Sequence, residues 1–208
     1  MNVLSKLTKE YFGETEREED VIKLDGVKRH KFIDISGKIH KNGYYIPDGN
    51  SITLGLLIYE LIKIRGDECD LNDIDVFNIT NMRGLFHYEK IGNFNGNISH
   101  WNVRRVRDMS YMFGNLKYFN QPLNDWDVSN VSDMSNMFYD AESFNQPLNK
   151  WNVEKVGNMS YMFEGAKSFN QSLGDWKPKS LVHIIDVFKG SPLENNPPKW
   201  YLEIKYKD

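Results

Sequence analysis

Cysteine, alanine and long apolar runs are scarce in this sequence. Among its 208 residues there is one cysteine, Cys69, and there are two alanines, Ala141 and Ala166. A single cysteine excludes an intrachain disulfide, and Cys69 lies too far along the chain to be a lipoprotein anchor. No stretch approaches the roughly 18 apolar residues of a transmembrane helix, and residues 1–12 lack the apolar core of a secretory signal. These absences predict an intracellular protein or a virion component.

An excess of one charge and the common catalytic motifs are also missing. The chain carries 26 basic and 29 acidic side chains, and residues 1–68 alone hold 11 and 12 of them. This balance favours neither nucleic acid nor an anionic membrane as the partner. There is no Gly-rich phosphate loop, no G-x-S-x-G, no H-E-x-x-H and no paired-cysteine spacing. We therefore predict no enzyme activity, no cofactor, no metal site and no small-molecule ligand.

Asparagine and lysine, in contrast, are abundant, with 22 and 19 copies. This bias is typical of proteins from A+T-rich genomes, such as those of mollicutes or large DNA viruses. It indicates origin and says nothing about mechanism.

The middle of the chain is an internal repeat. Tryptophan recurs every 25 residues, and Met, Phe and Phe-Asn recur at the same period between the tryptophans. An earlier unit of 27 residues has Ile74 at the tryptophan position. A repeat this short cannot bury its own apolar face, so neighbouring units must stack. The predicted buried columns are Trp101, Trp126, Trp151 and Trp176; Met109, Met134 and Met159; and Phe113, Phe138 and Phe163.

Each unit has two halves with different periods. Leu123, Trp126 and Val128 follow the L-x-x-L-x-L spacing of a leucine-rich repeat, which predicts a short strand. Met134, Met137, Phe138 and Ala141 then fall on one face of a helix of about two turns. The predicted N-caps of these helices are Asn81, Asp108, Asp133 and Asn158.

A Phe-Asn segment closes the first four units, and in the second and third it continues as Gln-Pro. It predicts a return loop, because proline cannot continue a helix. Its asparagines need hydrogen-bond partners if the loops stack. We expect a ladder between neighbouring loops, formed by Asn95, Asn120, Asn145 and Asn170.

The pattern W-[ND]-V-x-x-V-x-[DN]-M-S-x-M-F, followed by F-N-Q-P-L, resembles the BspA-type leucine-rich repeat, which also occurs in tandem in mycoplasma surface lipoproteins. The resemblance covers residues 71–190. It implies an α/β repeat fold, namely a right-handed leucine-rich-repeat-like solenoid with a parallel strand face. It also implies binding of other macromolecules, often in adhesion, and it brings no catalytic residues.

The sequence divides into residues 1–68, an N-terminal α+β cap; residues 69–190, five repeats; and residues 191–208, a capping strand with alternating Trp200, Leu202, Ile204 and Tyr206. Within the first region, Asp25-Gly26 and Asn42-Gly43 predict turns between strands. The best helix spans residues 51–65, with a Ser51 cap, Gly66 beyond its end, and an apolar face. A shorter amphipathic helix is predicted before Gly13. The apolar face of the longer helix is predicted to be Ile52, Leu56, Tyr59, Leu61 and Ile62.

The predicted function is non-enzymatic binding of a protein partner on the strand face. Adjacent strands lie about 4.8 Å apart, so equivalent residues form stripes on that face. The first stripe is short and polar, and the second varies from repeat to repeat, which suits specificity. The candidate face consists of Asp75, Asn102, Asp127 and Asn152 in the first stripe, and Phe77, Arg104, Ser129, Glu154 and Lys179 in the second, together with Arg105.

The sequence is compatible with two alternative functions. One is a structural component of a virion or another assembly. The other is a nucleic-acid binder that uses Arg104, Arg105 and Arg107, although the balanced charge counts against it. We expect these arginines to pair instead with Asp75, Asp127 and Glu154.

Overall fold

The computed structural model describes residues 27–33, 39–46, 49–87, 91–181 and 183–206. The helix predicted before Gly13 and the turn predicted at Asp25-Gly26 lie outside these residues. The described helices and strands are β1 (Lys28–Ile33), β2 (Ile39–Tyr45), α1 (Ser51–Arg65), β3 (Ile74–Asp75), a 3₁₀ turn (Pro192–Glu194) and α2 (Lys199–Lys205).

Strands β1 and β2 pair antiparallel, and β2 pairs in parallel with β3. The turn predicted at Asn42-Gly43 is wrong, because both residues lie inside β2 and Gly43 pairs with His30. A register shift between His30 and Phe32 accommodates this pairing. The Asn-Gly pair therefore continues strand β2 and does not form a turn.

Helix α1 spans the predicted residues, but its cap and its buried face differ. The side chain of Asn50, not Ser51, accepts from the backbone N–H groups of Ile52 and Thr53. Gly66 ends the helix at φ 86°, as expected. Apolar side chains point in most directions around this helix, so the spacing of apolar residues alone could not identify the buried face. The buried residues are Leu54, Leu57, Ile58, Leu61 and Ile62, whereas Ile52 and Leu56 are exposed.

The N-terminal elements pack directly on the first repeat. Tyr44 pairs with Ile74 across β2 and β3, and the Arg65 guanidinium forms an ion pair with Asp73 at 2.9 Å. Asn78 donates to the Tyr45 hydroxyl at 2.8 Å. The buried residues of α1 and of the repeats belong to one hydrophobic cluster.

The predicted core columns are confirmed. Trp101, Trp126 and Trp151 are 1%, 2% and 3% exposed, and the methionine and phenylalanine columns are fully buried. The rings of Trp101 and Trp126 stack with centroids 6.4 Å apart. Burial of these large side chains supplies the main stabilisation of a stack whose units have no core of their own.

The helix predicted in each repeat is wrong. Residues 135–140 form turns, and Asn136 and Asp140 have φ values of 55° and 52°. Positive φ is incompatible with a right-handed helix, and Asn and Asp are among the residues that tolerate it best. The equivalent Asn115, Tyr161 and Gly165 share this conformation. The spacing of Met134, Met137 and Phe138 therefore comes from successive turns.

The predicted helix caps form Asx turns instead. The Asp133 carboxylate accepts from the backbone N–H of Ser135 at 2.8 Å and from its hydroxyl at 2.6 Å. Parallel bridges link the backbone at Asp133 to the backbone at Asp108 and Asn158. The residues predicted as helix caps thus order the backbone of the turns and join neighbouring repeats.

The strand predicted at residues 123–128 is replaced by turns, with Trp126 N–H donating to the Leu123 carbonyl at 3.1 Å. Only the first repeat keeps a strand here among the described residues, namely β3. Parallel backbone pairing is found instead along residues 109–115, 134–140 and 159–165, which we call the polar ladder. Its bonds from the second to the third repeat, each between 2.7 and 2.9 Å, are Met109–Asp133, Tyr111–Ser135, Phe113–Met137 and Asn115–Tyr139.

The asparagine ladder between loops is confirmed. The Asn120 side-chain oxygen accepts from Asn145 N–H at 2.9 Å and from the Gln146 amide at 3.1 Å. Asn95 and Asn145 accept equivalent bonds from the loops that follow them. Loop amides are thereby satisfied without water.

The capping strand predicted in residues 191–208 is wrong, because Lys199–Lys205 form helix α2 after Pro198. Trp200 nevertheless continues the tryptophan column, with its ring 6.1 Å from that of Trp176. Tyr201 meets Phe188 edge to face. Covering these two rings requires apolar residues at adjacent positions on one helix face, which an alternating strand would send to opposite sides.

Candidate interaction face

The first predicted stripe is largely committed to local turns. Side-chain oxygens of Asp75, Asp127 and Asn152 accept from the backbone N–H groups two residues later, at 2.9, 3.1 and 3.1 Å. Asn102, in the same column, is half-buried. These short polar side chains shape the backbone that presents the second stripe.

The second stripe contains a cluster of one aromatic ring and two guanidinium groups. The Arg104 guanidinium carbon lies 4.7 Å from the centre of the Phe77 ring, and that of Arg105 lies 5.2 Å away. Both arginines are exposed and Phe77 is half-buried. A guanidinium over an aromatic face is attracted by the ring quadrupole. The ring therefore holds two cations at the surface.

The predicted ion pairs of these arginines are wrong. Glu154 pairs with Lys179 at 2.9 Å, and within the described residues none of Arg104, Arg105 and Arg107 forms an ion pair. The backbone carbonyl of Arg107 accepts from Ser132 N–H at 2.8 Å. The Phe77 ring thus holds the guanidinium groups of Arg104 and Arg105 at the surface without neutralising their charges.

The neighbouring column extends the cluster. Arg105 donates to the Asn78 side chain at 3.1 Å, Asn130 donates to the Arg104 carbonyl at 2.9 Å, and Lys155 donates to Asn130 at 2.7 Å. Sequence reasoning missed Asn78, Asn130 and Lys155. The signal was present, because the residue after the second stripe is polar in each of these repeats.

The candidate face is therefore mixed in charge, with its cations concentrated at Arg104 and Arg105. Ser129, half-buried, stands between them and the Glu154–Lys179 pair. The sequence-predicted residues thus divide into turn-forming side chains, an Arg–Phe cluster and an ion pair. Only the cluster presents charges without carboxylate partners in the described chain.

A second surface feature, not predicted, lies beside the polar ladder. The rings of Tyr111 and Tyr139 stack at 6.3 Å, and His87 meets Tyr111 edge-on at 4.9 Å. Tyr111 has φ 58° and hydrogen-bonds Asn115 through its hydroxyl. Burial raises the pKa of Tyr111, with a further contribution from Tyr139. Because the ring faces are occupied by each other, this row is better suited to rigidity than to stacking on a ligand.

No cluster of three His, Cys, Asp or Glu side chains suited to a metal ion occurs in the described part of the chain. No helix within the described ranges is long and apolar enough to cross a membrane.

Stacked units with shared core columns and a variable surface column define this chain as a repeat protein. More specifically, it belongs to the family described as Mycoplasma protein of unknown function, DUF285, whose model matches residues 62–176, over half of the 208 residues. Neither the curated proteins nor the solved structures gave a match.

Proposed function

We propose that this chain is a non-enzymatic protein–protein interaction module whose partner presents carboxylates to the Phe77, Arg104 and Arg105 cluster. The observation that carries the proposal is the position of both guanidinium groups over one half-buried ring, with no ion pair to a carboxylate among the described residues. We further propose that the repeats that carry this face form a right-handed BspA-like solenoid. The period of 25 residues and the shared core columns support that frame.

Carboxylates fit this cluster for a geometric reason. A guanidinium binds a carboxylate through two parallel N–H bonds, and a position over an aromatic ring leaves its edges accessible. One edge of Arg105 already donates to Asn78, so Arg104 is the better placed of the two for a two-bond contact. Holding the planes on Phe77 also reduces the side-chain entropy that binding would cost. Arginine and aromatic residues are enriched in the energetically dominant parts of protein interfaces.

Nucleic acid is the second candidate, because the same unneutralised arginines could contact phosphate. The carboxylates of Asp75, Asp127 and Glu154 lie in the same two stripes and would repel a phosphate backbone. The net charge of −3 acts in the same direction. These charges favour a partner with discrete carboxylates over a continuous polyanion.

Fluorescence anisotropy can separate the two candidates. The probes are a glutamate-rich peptide and a single-stranded oligonucleotide, titrated at physiological salt with the wild-type chain and with Arg104→Ala/Arg105→Ala. We expect peptide binding that the double variant weakens at least about tenfold, equivalent to about 1.4 kcal/mol. Lys117→Ala/Lys167→Ala is the matched control, because it removes two cations that pair with Glu142 elsewhere.

Equal weakening by both double variants would reduce the effect to net charge and contradict the proposal. Oligonucleotide binding that is lost only in the arginine variant would assign the face to nucleic acid.

A further inference from the structure

The polar ladder has one direction throughout the stack. In the second, third and fourth repeats, alternate N–H groups all donate forward to carbonyls of the next repeat. Gly165 N–H, for example, donates to the Lys189 carbonyl at 2.8 Å. Strand dipoles normally cancel within a sheet, but here the peptide units of this strip point the same way. The two ends of the ladder must therefore differ chemically.

The C-terminal end presents hydrogen-bond donors. At the ladder positions of the last repeat, Ile184, Asp186 and Phe188 have N–H groups with no acceptor among the described residues. The fourth donor, Gly190 N–H, bonds the Glu194 carboxylate at 2.8 Å. Glu194 thus shows how an acceptor satisfies this edge.

The opposite end presents acceptors. In the first repeat, no described donor bonds the backbone carbonyls of Asn81, Arg83 and Leu85. The equivalent carbonyls in later repeats accept ladder bonds, except that of Met112, which accepts no backbone bond from a described residue. The pattern at one end is therefore the complement of the pattern at the other.

Exposed apolar side chains have the same distribution. Among the described residues, seven large hydrophobic side chains are exposed, and only Tyr118 belongs to an internal repeat. Three belong to α1 and three to the last repeat and the C-terminal segment. The end residues are Ile52, Leu56 and Ile64 at one end, and Ile185, Leu202 and Tyr206 at the other.

We propose that copies of this chain associate head to tail, with the last repeat of one copy donating its free ladder N–H groups to the first repeat of the next. Continuing the register pairs Ile184, Asp186 and Phe188 with the carbonyls of Asn81, Arg83 and Leu85 of the second copy. The exposed Arg83 then lies beside the Asp186 carboxylate, which pairs with Lys189 at 3.3 Å within its own chain, so Arg83 adds a second cation to this carboxylate.

Helix α2 does not use the donors of the last repeat. Helix α2 covers the core rings through Trp200 and Tyr201 but accepts none of the three free donors. Because the contact joins two different surfaces, it cannot form a symmetric two-fold dimer, and each added copy exposes the same donor end again. The association builds open chains of increasing length rather than a symmetric dimer.

Sedimentation velocity on the full chain over a concentration series tests the proposal. We expect the weight-average mass to rise continuously with concentration beyond that of a dimer. Ile185→Lys/Leu202→Lys blocks the donor end, and Ile52→Lys/Leu56→Lys blocks the acceptor end. Each variant alone should remain monomeric over the same range, with an association constant lowered at least about tenfold.

Mixing the two blocked variants is the sharper measurement. Each retains the end that the other lacks, so an equimolar mixture should form a heterodimer and stop there. Tyr118→Lys is the matched control, and it should assemble like the wild type. Circular dichroism verifies that every variant is folded.

Three results would overturn the inference: a wild type that stays monomeric, a wild type that stops at a dimer, or blocked variants that do not combine. Disruption by Tyr118→Lys equal to that of the end variants would also contradict it.

Discussion

The indole N–H of Trp200 donates to the backbone carbonyl of Leu173 at 2.9 Å, although Trp200 lies in a helix outside the repeats. Trp151 makes the same bond to Leu123, and Trp176 makes it to Leu148, each at 2.9 Å. Each buried indole is thus satisfied by the repeat before it, and the last carbonyl in the series is satisfied by the C-terminal helix. One bond type runs from the first repeat to the end of the chain.

Replacing Trp151 with alanine should lower the free energy of unfolding by roughly 3–5 kcal/mol, the range for truncating a large buried aromatic. The substitution removes a ring that stacks on Trp176 at 6.3 Å and takes away one of the two donors to the Leu123 carbonyl, which keeps its bond from Trp126 N–H. Urea denaturation measures the change. Trp151→Phe keeps most of the apolar volume and should cost less; an unchanged midpoint in Trp151→Ala would show that the column is not core.

Asn120→Ala should destabilise the chain by about 1–3 kcal/mol, because it leaves loop donors of the next repeat unsatisfied. Its side-chain oxygen accepts from the backbone of Asn145 and from Gln146. Asn170 ends the same ladder, and its side-chain oxygen accepts no bond from a described residue, so Asn170→Ala is the matched control. Equal losses of stability in thermal or urea unfolding would refute the role of the ladder.

Gly165→Ala should cost about 1–3 kcal/mol, because Gly165 has φ +71° and an added methyl group would collide with the Asp140 side chain. Gly174 has no positive φ, and the nearest atom to its methyl group would be the Ser172 hydroxyl at 3.7 Å. Gly174→Ala should therefore be neutral or slightly stabilising. Similar unfolding midpoints for the two variants would contradict the assigned turn.

Burial raises the pKa of Cys69 to about 11. At about pH 8 this lowers the thiolate fraction roughly a hundredfold relative to a pKa of 9.0, so alkylation of the folded chain should be much slower than after denaturation. Because the pKa of Cys69 is higher in the folded chain, the protonated thiol contributes to the free energy of unfolding. This contribution is complete below about pH 9 and is lost as the pH rises towards 11. Cys69→Ala should remove that part of the alkaline loss, and equal alkylation rates in both states would contradict burial.

The repeat period was sufficient to predict the core and the asparagine ladder, because both depend only on which residues recur. The period could not distinguish a helix from turns at Met134, Met137 and Phe138. Both conformations direct side chains at these spacings into the core. The distinguishing signal was Asn136 and Asp140, residues that accept positive φ.

The candidate face was predicted as stripes, but its contacts were not. Charge alone predicted an ion pair between Arg104 and Glu154. In the structure Arg104 instead lies over Phe77, and Glu154 pairs with Lys179. Sequence spacing does not say which of several reachable partners a long side chain contacts. The C-terminal strand failed for a related reason, since alternation over a few residues also fits one helix that buries Trp200 and Tyr201.

The most direct test of the proposed function is photo-crosslinking in the cell of origin, with the probe at Ser129 beside the arginine cluster and a control probe at the exposed Ser168. We predict an adduct from Ser129 to a polypeptide other than this chain, lost in Arg104→Ala/Arg105→Ala and not formed from Ser168. An adduct to nucleic acid alone, or protein adducts from both sites that survive the arginine substitutions, would contradict the assignment of this face to a protein partner.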